Sequence, residues 1–203
     1  VEILDLPGTY SITPESYDER IVSEQVINWV HGNEKPDVII SVIDATNLSR
    51  NLYLTSQLLD IGIPVVVALN MSDLLKNKNI LIDIELLKKK LNISEMIFTS
   101  ASENRGIVEL KEAVLNTLRA PFTHAKKSPY LVPEDVKNIL TPLTQLFKEQ
   151  LNYNQRFSTA QALRLITRDS AVELYSSQKF NRSDAGINLE QELIDIVTKC
   201  RKK

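Results

Sequence analysis

Residues 37–44, D-V-I-I-S-V-I-D, form a near-continuous β-branched run bounded by acids and preceded by Pro36. Such a run, without polar alternation, is the pattern of a strand covered on both faces. A second one, P-V-V-V-A-L, spans Pro64–Leu69. Between them Asn47-Leu48-Ser49-Arg50 opens a helix with Leu52, Leu54, Leu58 and Leu59 apolar, and Gly62 ends it. Upstream, Val1–Leu4 reads as a short strand running into a loop at Asp5–Pro14. Pro14-Glu15 suggests a helix start. Ile21, Val22, Val26 and Trp29/Val30 then recur at helical spacing until Gly32-Asn33 stops them. Downstream, Asp83–Leu91 reads as a helix and Glu95–Thr99 as a shorter strand. Gly106–Leu118 reads as a helix with Ile107, Leu110, Val114 and Leu118 on one face. Strand and helix alternate four times, which predicts an α/β domain: a mostly parallel sheet with helices on both faces.

After Ala120-Pro121 the character changes. The stretch 122–132 is a linker, polar and lysine-bearing, with prolines within and just after it. Beyond it no strand pattern appears. Pro133–Leu151 is helical by the spacing of Val136, Ile139, Leu140, Leu143, Leu146 and Phe147, and Pro142 should kink or split it. Ser158–Ile166 reads as a helix capped by Ser158. Ala171–Tyr175 continues it or starts another, and Leu189–Val197 is a final helix. The predicted organisation is an α/β domain over 1–121, a linker, and a small all-α domain over 133–203.

The 203 residues, 43% hydrophobic and 25% charged, suit a folded globular protein, and a net charge of −2 gives no basic footprint for nucleic acid. One cysteine, Cys200, excludes a disulfide framework and a cysteine-built zinc or iron–sulfur site. No apolar run approaches the roughly 18 residues of a spanning helix.

In open α/β sheets ligands bind at the carboxyl ends of the strands. Three loops occupy that place. Asp5-Leu6-Pro7-Gly8 puts an acid at a strand's end, where it can hold Mg²⁺ through water. The closing glycine lets its backbone N–H approach a terminal phosphate. Asn70-Met71-Ser72-Asp73 offers a carboxylate that can accept from the ring N–H and the exocyclic amine of guanine, a donor pair adenine lacks, while Asn70 braces neighbouring loops. Thr99-Ser100-Ala101 is a tight loop whose backbone N–H can meet the guanine carbonyl. Each motif alone is weak. Their order, each at a strand exit, resembles the guanine-nucleotide-binding domain of translation-factor-like GTPases.

The segments D-L-P-G-T-Y-S-I and S-V-I-D-A-T-N-L-S-R-N-L-Y-L-T-S-Q-L-L-D-I-G-I-P-V-V-V-A-L-N-M-S-D carry the resemblance further, over about Val1–Ala120. They resemble the cytosolic amino-terminal part of the FeoB family of bacterial ferrous-iron transporters. That resemblance implies GTP/GDP and Mg²⁺ as ligands. It implies slow GTP hydrolysis that regulates iron uptake at the cytoplasmic face of the inner membrane. It also implies a GDP-stabilising helical domain leading to the chain's own transmembrane iron-transport domain, and K⁺ held in a segment before Val1. A homo-oligomer is compatible with it. The nucleotide-binding residues it implies are Asp5, Leu6, Pro7, Gly8, Thr9, Asn70, Met71, Ser72, Asp73, Thr99, Ser100 and Ala101. Asp5 is the metal ligand, and no catalytic residue is assigned.

Two departures stand beside the match, the second of them from many GTPases and not from FeoB. G-x-x-x-x-G-K-[ST] is absent, because none of Gly8, Gly32, Gly62, Gly106 and Gly186 precedes a lysine. The chain also opens in mid-strand without Met, so it is read as a fragment whose phosphate-binding loop precedes Val1, and these residues alone should bind GTP poorly. At the position after Gly8, where many GTPases carry a water-orienting glutamine, stands Thr9, whose hydroxyl is too short for that reach. The rivals are another small GTPase of the ribosome-assembly kind and a nucleotide-free regulatory or scaffold module.

Other residues admit plainer readings. Asp44 serves Mg²⁺ or caps the following turn, and the cap is favoured. Tyr10, Ser11, Glu15, Asp18 and Glu19 belong either to a mobile switch or to a solvated loop and helix start. His31 and His124 stand apart from other ligand types, Trp29 reads as a packed residue, and Cys200 as an incidental thiol. Lys88–Lys90 reads as an exposed helix face, and Lys199–Lys203 as a solvated end or a membrane-facing cluster.

Overall fold

The computed structural model describes residues 1–13, 15–31, 34–121, 131–177 and 189–202. In chain order its elements are α1 (Tyr17–His31), β1 (Ile39–Asp44), α2 (Leu48–Ile61), β2 (Val65–Asn70), α3 (Asp73–Asn77), α4 (Ile84–Leu91), β3 (Glu95–Phe98), α5 (Ile107–Arg119), α6 (Glu134–Leu151), α7 (Gln155–Thr167), α8 (Asp169–Ser177) and α9 (Leu189–Arg201). They form two compact units, Lys35–Tyr130, and Val1–Glu34 together with Leu131–Lys203. The expected stop at Gly32-Asn33 and nearly all of the linker lie outside the described residues.

The first unit is α/β. Its three strands are parallel in the order β1-β2-β3. Central β2 has Val65–Leu69 buried throughout, which is why its sequence carries no polar alternation. Helices α2, α4 and α5 pack on the strands. The buried hydroxyls of Ser41 and Thr55 join β1 to α2 at 2.9 Å. Gly62, in the left-handed region at φ 82°, ends α2 as expected. Asp83 caps α4 by accepting from Leu86 N–H at 2.9 Å.

Two strand expectations are corrected. Strand β1 is not covered on both faces: Ser41 and Ile43 are buried, but Ile40 is 44% and Val42 63% exposed. It is an edge strand of the described sheet, and its β-branched composition does not itself report a neighbour. Val1–Leu4 is not a strand, since Val1, Ile3 and Leu4 are exposed and form no ladder among the described residues. A β-prone run becomes a strand only by pairing. Sheet and helix therefore alternate over three strands, not four. In α5, Leu118 is exposed, whereas Ala113 is buried.

The second unit is built from helices. Phe147, Phe157, Leu140, Leu143 and Leu165 are fully buried. Tyr153, in the α6–α7 connection, stacks on Phe147 at 5.5 Å and meets Phe157 edge-on at 4.9 Å. The connection turns at Asn152, φ 54°, and Asn154 caps α7 by accepting from Phe157 N–H at 2.9 Å. The helix therefore starts ahead of the expected cap, Ser158, which is buried within it. Helix α8 is separate from α7.

Helix α6 is also unbroken: exposed Pro142 lies inside it without splitting it. Proline supplies no N–H for the carbonyl four residues earlier, a lasting cost in a helix interior. Pro142→Ala is therefore expected to stabilise this unit by about 1–3 kcal/mol, read as a rise in the denaturant midpoint at unchanged slope.

Candidate nucleotide-binding site

The strand register sets the site. Asp44 lies opposite Asn70, and Leu69 opposite Phe98, so the three strands end level with one another. As the chain leaves β2, Asn70 Oδ1 accepts from the Ala101 N–H at 3.1 Å and from the Thr99 hydroxyl at 3.4 Å. Thr99 N–H donates to the Leu69 carbonyl at 2.9 Å, and Ser72 N–H to the Thr99 carbonyl at 3.1 Å. The loops Asn70–Asp73 and Thr99–Ala101 are thereby brought together, with Asn70 as the joint.

Between these fixed points Met71 takes φ 60°, and α3 begins at Asp73. Asp73 is half-buried, and its Oδ1 is shielded from solvent without a hydrogen-bond partner. A buried acceptor left unmatched costs on the order of 1–3 kcal/mol, more when charged. It is an opening for a ligand carrying N–H donors.

The second loop is closed on itself. Ser100 and Arg105 exchange N–H···O bonds, both at 3.0 Å, the hydroxyls of Ser100 and Ser102 meet at 3.1 Å, and Glu103 pairs with Arg105. Thr99 and Ser100 are buried and Ala101 is exposed. Ala101 N–H, one of the backbone donors of the expected base-contacting loop, is directed at Asn70 here. Asp44 accepts from Thr46 N–H at 2.7 Å and so caps the turn that follows it, and Lys78 Nζ reaches the Thr46 hydroxyl at 3.1 Å.

Asp5–Thr9 belongs to the other unit. Asp5 is exposed, and the space around Gly8 is open, since a Cβ built there meets nothing within 4 Å. The Thr9 hydroxyl donates to the Ser11 carbonyl at 2.8 Å. Ile12 and Thr13 are buried, whereas Tyr10, Glu15 and Asp18 are exposed. Helix α1 opens with a capping box that the sequence reading missed. Glu19 N–H donates to Ser16 Oγ at 3.2 Å, while Glu19 Oε2 accepts from Ser16 N–H at 3.1 Å. The signal, S-Y-D-E at 16–19, was there to find. Within this unit Glu15 pairs with Arg168 at 2.8 Å, and His31 Nε2, at the end of α1, meets the Tyr153 hydroxyl at 2.7 Å. His124 lies outside the described residues. Among the described residues no cluster of three metal-ligating side chains occurs, and no helix is long and apolar enough to cross a membrane.

Residues 1–114 match the family model described as ferrous iron transport protein B. The chain belongs to the FeoB family. It is 43% identical over 118 residues to the Fe(2+) transporter FeoB of Escherichia coli strain K12, an alignment covering 56% of this chain and 14% of that protein. The chain thus spans about one-seventh of the length of that FeoB. The cytosolic domain of L. pneumophila FeoB superposes with a TM-score of 0.69 at 33% identity, covering 98% of this chain and 76% of that one. The NFeoB of S. thermophilus bound to GDP·AlF4⁻ and K⁺ superposes with a TM-score of 0.69 at 28% identity, covering 98% of this chain and 70% of that one. The FeoB assignment rests on Val1–Val114, which includes the three loops described above.

Gly106 stands at the foot of the second loop with φ 74°, and a Cβ there would lie 2.1 Å from the Phe98 carbonyl oxygen. Both the backbone angle and the contact oppose a side chain. Gly106→Ala should lower the stability of the sheet unit by roughly 2 kcal/mol or more. It should also speed hydrogen exchange at the Ala101 and Arg105 amides, measured by NMR.

Proposed function

We propose that this chain is part of a GTP-binding and slowly hydrolysing switch that regulates ferrous-iron uptake across the bacterial inner membrane. The observation that carries the proposal is the shielded, unpartnered Oδ1 of Asp73 beside a loop pinned by Asn70. Ring N–H and exocyclic amine of guanine supply the donors it lacks, and adenine does not. Ala101 N–H, in the neighbouring loop, keeps its bond to Asn70 and shares its hydrogen with the guanine carbonyl. Met71, Ser72, Thr99 and Ser100 shape the turn that holds these groups.

In this reading Asp5 serves Mg²⁺. A single exposed carboxylate fits that ion, which keeps several waters and takes its remaining ligands from phosphate. Gly8, with open space around it, senses the terminal phosphate through its N–H, and Leu6 and Pro7 shape that approach. The Thr9 hydroxyl is engaged with Ser11 and is short, so water positioning falls to other groups and hydrolysis is slow. K⁺, present with GDP·AlF4⁻ in the S. thermophilus relative, would act at the phosphates.

We assign residues 1–121 to the nucleotide-binding domain and residues 133–203 to a helical regulatory domain. The Glu15–Arg168 contact gives that domain a hold on the switch stretch Thr9–Glu19. The partner that receives the signal is the protein's own membrane-embedded iron-transport domain, with this part at its cytoplasmic face.

Fluorescent GDP and ADP analogues titrated into the protein test the reading. Weak but guanine-selective binding is expected, tighter when a relative's G-x-x-x-x-G-K-[ST] segment is fused before Val1. Asp73→Asn should cost about ten- to a hundredfold in GDP affinity, the worth of charge-assisted hydrogen bonds. It should gain xanthosine diphosphate, whose base carbonyl accepts from the new amide. Equal affinity for GDP and ADP, or no binding even in the fused protein, would refute it.

A further inference from the structure

The chain contains three sulfur atoms, in Met71, Met96 and Cys200. Met96 lies in β3 at 3% exposure, and Cys200 is buried with its thiol donating to the Ile139 carbonyl. Met71 is 45% exposed. Methionine is ordinarily among the buried side chains, and φ near +60° is uncommon for any residue with a Cβ. Met71 combines both departures in one turn. Its flanks explain the backbone: Asn70 is held by Ala101 and Thr99, and Ser72 by Thr99, so the residue between them has little freedom. They do not explain why an apolar thioether stands in solvent two residues before an unpartnered carboxylate oxygen.

A guanine held by Asp73 would account for it. The base would present a ring face beside this turn, and a soft, polarizable sulfur is a good neighbour for an aromatic ring. This inference rests on the guanine reading given above. We propose that Met71 is a peroxide-sensitive modification site on the base-binding turn, where oxidation of the thioether to the sulfoxide weakens guanine-nucleotide binding.

The chemistry needs a peroxide as the oxidant and no protein base or metal. A sulfur lone pair attacks one peroxide oxygen, and the S–O bond forms as the O–O bond breaks. The departing hydroxide takes the proton left on the transferred oxygen and leaves as water. Sulfur is oxidised to the sulfoxide and the peroxide is reduced. The product is polar, bulkier and chiral, set in a turn whose backbone cannot yield. The stacking contact is lost, and the sulfoxide must be solvated where the base would lie.

Dilute hydrogen peroxide, with peptide mass spectrometry and titration of a fluorescent GDP analogue, tests this on the protein itself. Met71 should gain one oxygen roughly tenfold faster than Met96, as exposure dictates. Saturating GDP should slow its oxidation, and ADP should not. Full conversion should weaken GDP binding roughly two- to tenfold, the worth of a sulfur–aromatic contact. Met96→Leu should keep the whole response, whereas Met71→Leu, whatever its starting affinity, should show no further change on treatment. Equal oxidation of the two methionines, unchanged affinity after complete conversion of Met71, or a response that persists in Met71→Leu would each overturn the inference while leaving the guanine reading intact. No affinity for GDP before treatment, even in the protein fused to the G-x-x-x-x-G-K-[ST] segment, would overturn both.

Discussion

The bond from Ala101 N–H to Asn70 Oδ1 is the constraint on which the candidate site depends. It spans 31 residues of sequence and joins the exits of two adjacent parallel strands. Parallel pairing already brings those exits level. The side-chain bond then converts a shared edge into a fixed corner, with Thr99 bonded to Leu69 on one side and Ser72 on the other. Everything chemically notable in this unit hangs from that corner: the left-handed turn at Met71, the orphaned oxygen of Asp73, and the closed loop from Ser100 to Arg105. A polar site at a sheet edge needs its own backbone groups satisfied before it can offer any to a ligand. Here nearly all of that satisfaction is internal, which leaves Asp73 as the group with unmet demand.

Much of this was legible in the residues, and the parts that were not share a cause. Central β2 was readable because a strand covered on both faces is apolar along its whole length, and Val65–Leu69 is. The same reasoning failed for β1, where Ile40 and Val42 are as β-branched as their buried neighbours yet face solvent. It failed again for Val1–Leu4. Composition reports a propensity to pair, whereas burial and pairing are properties of the neighbours. The loops were visible as polar residues at strand exits, but the bond from Asn70 to Ala101 was not, because nothing local encodes a partner 31 residues away. The caps divide similarly. Asp83 and Asn154 act through the next turn of their own helices. At Ser158 and at Pro14-Glu15 the reading settled on a neighbouring residue while Asn154 and the Ser16–Glu19 pair offered better acceptors.

The helical unit takes its first helix from far away. Its aromatic centre, Phe147, Tyr153 and Phe157, comes from the α6–α7 hairpin, but Tyr153 is also bonded to His31, 122 residues earlier, and Arg168 is paired with Glu15, 153 residues earlier. The whole of Lys35–Tyr130 intervenes.

That interruption has a consequence for how the molecule assembles. The sheet unit is one continuous stretch of chain, so it can form as soon as that stretch exists. Helix α1 is made before that stretch, and its partners are made after it. The entropy of closing so long a loop rises only about 0.6 kcal/mol for each doubling of length, so the delay is kinetic more than energetic, as expected where contacts are distant in sequence. During synthesis from the amino terminus, the helix that follows Asp5–Gly8 emerges well before the residues it packs against, Tyr153 among them.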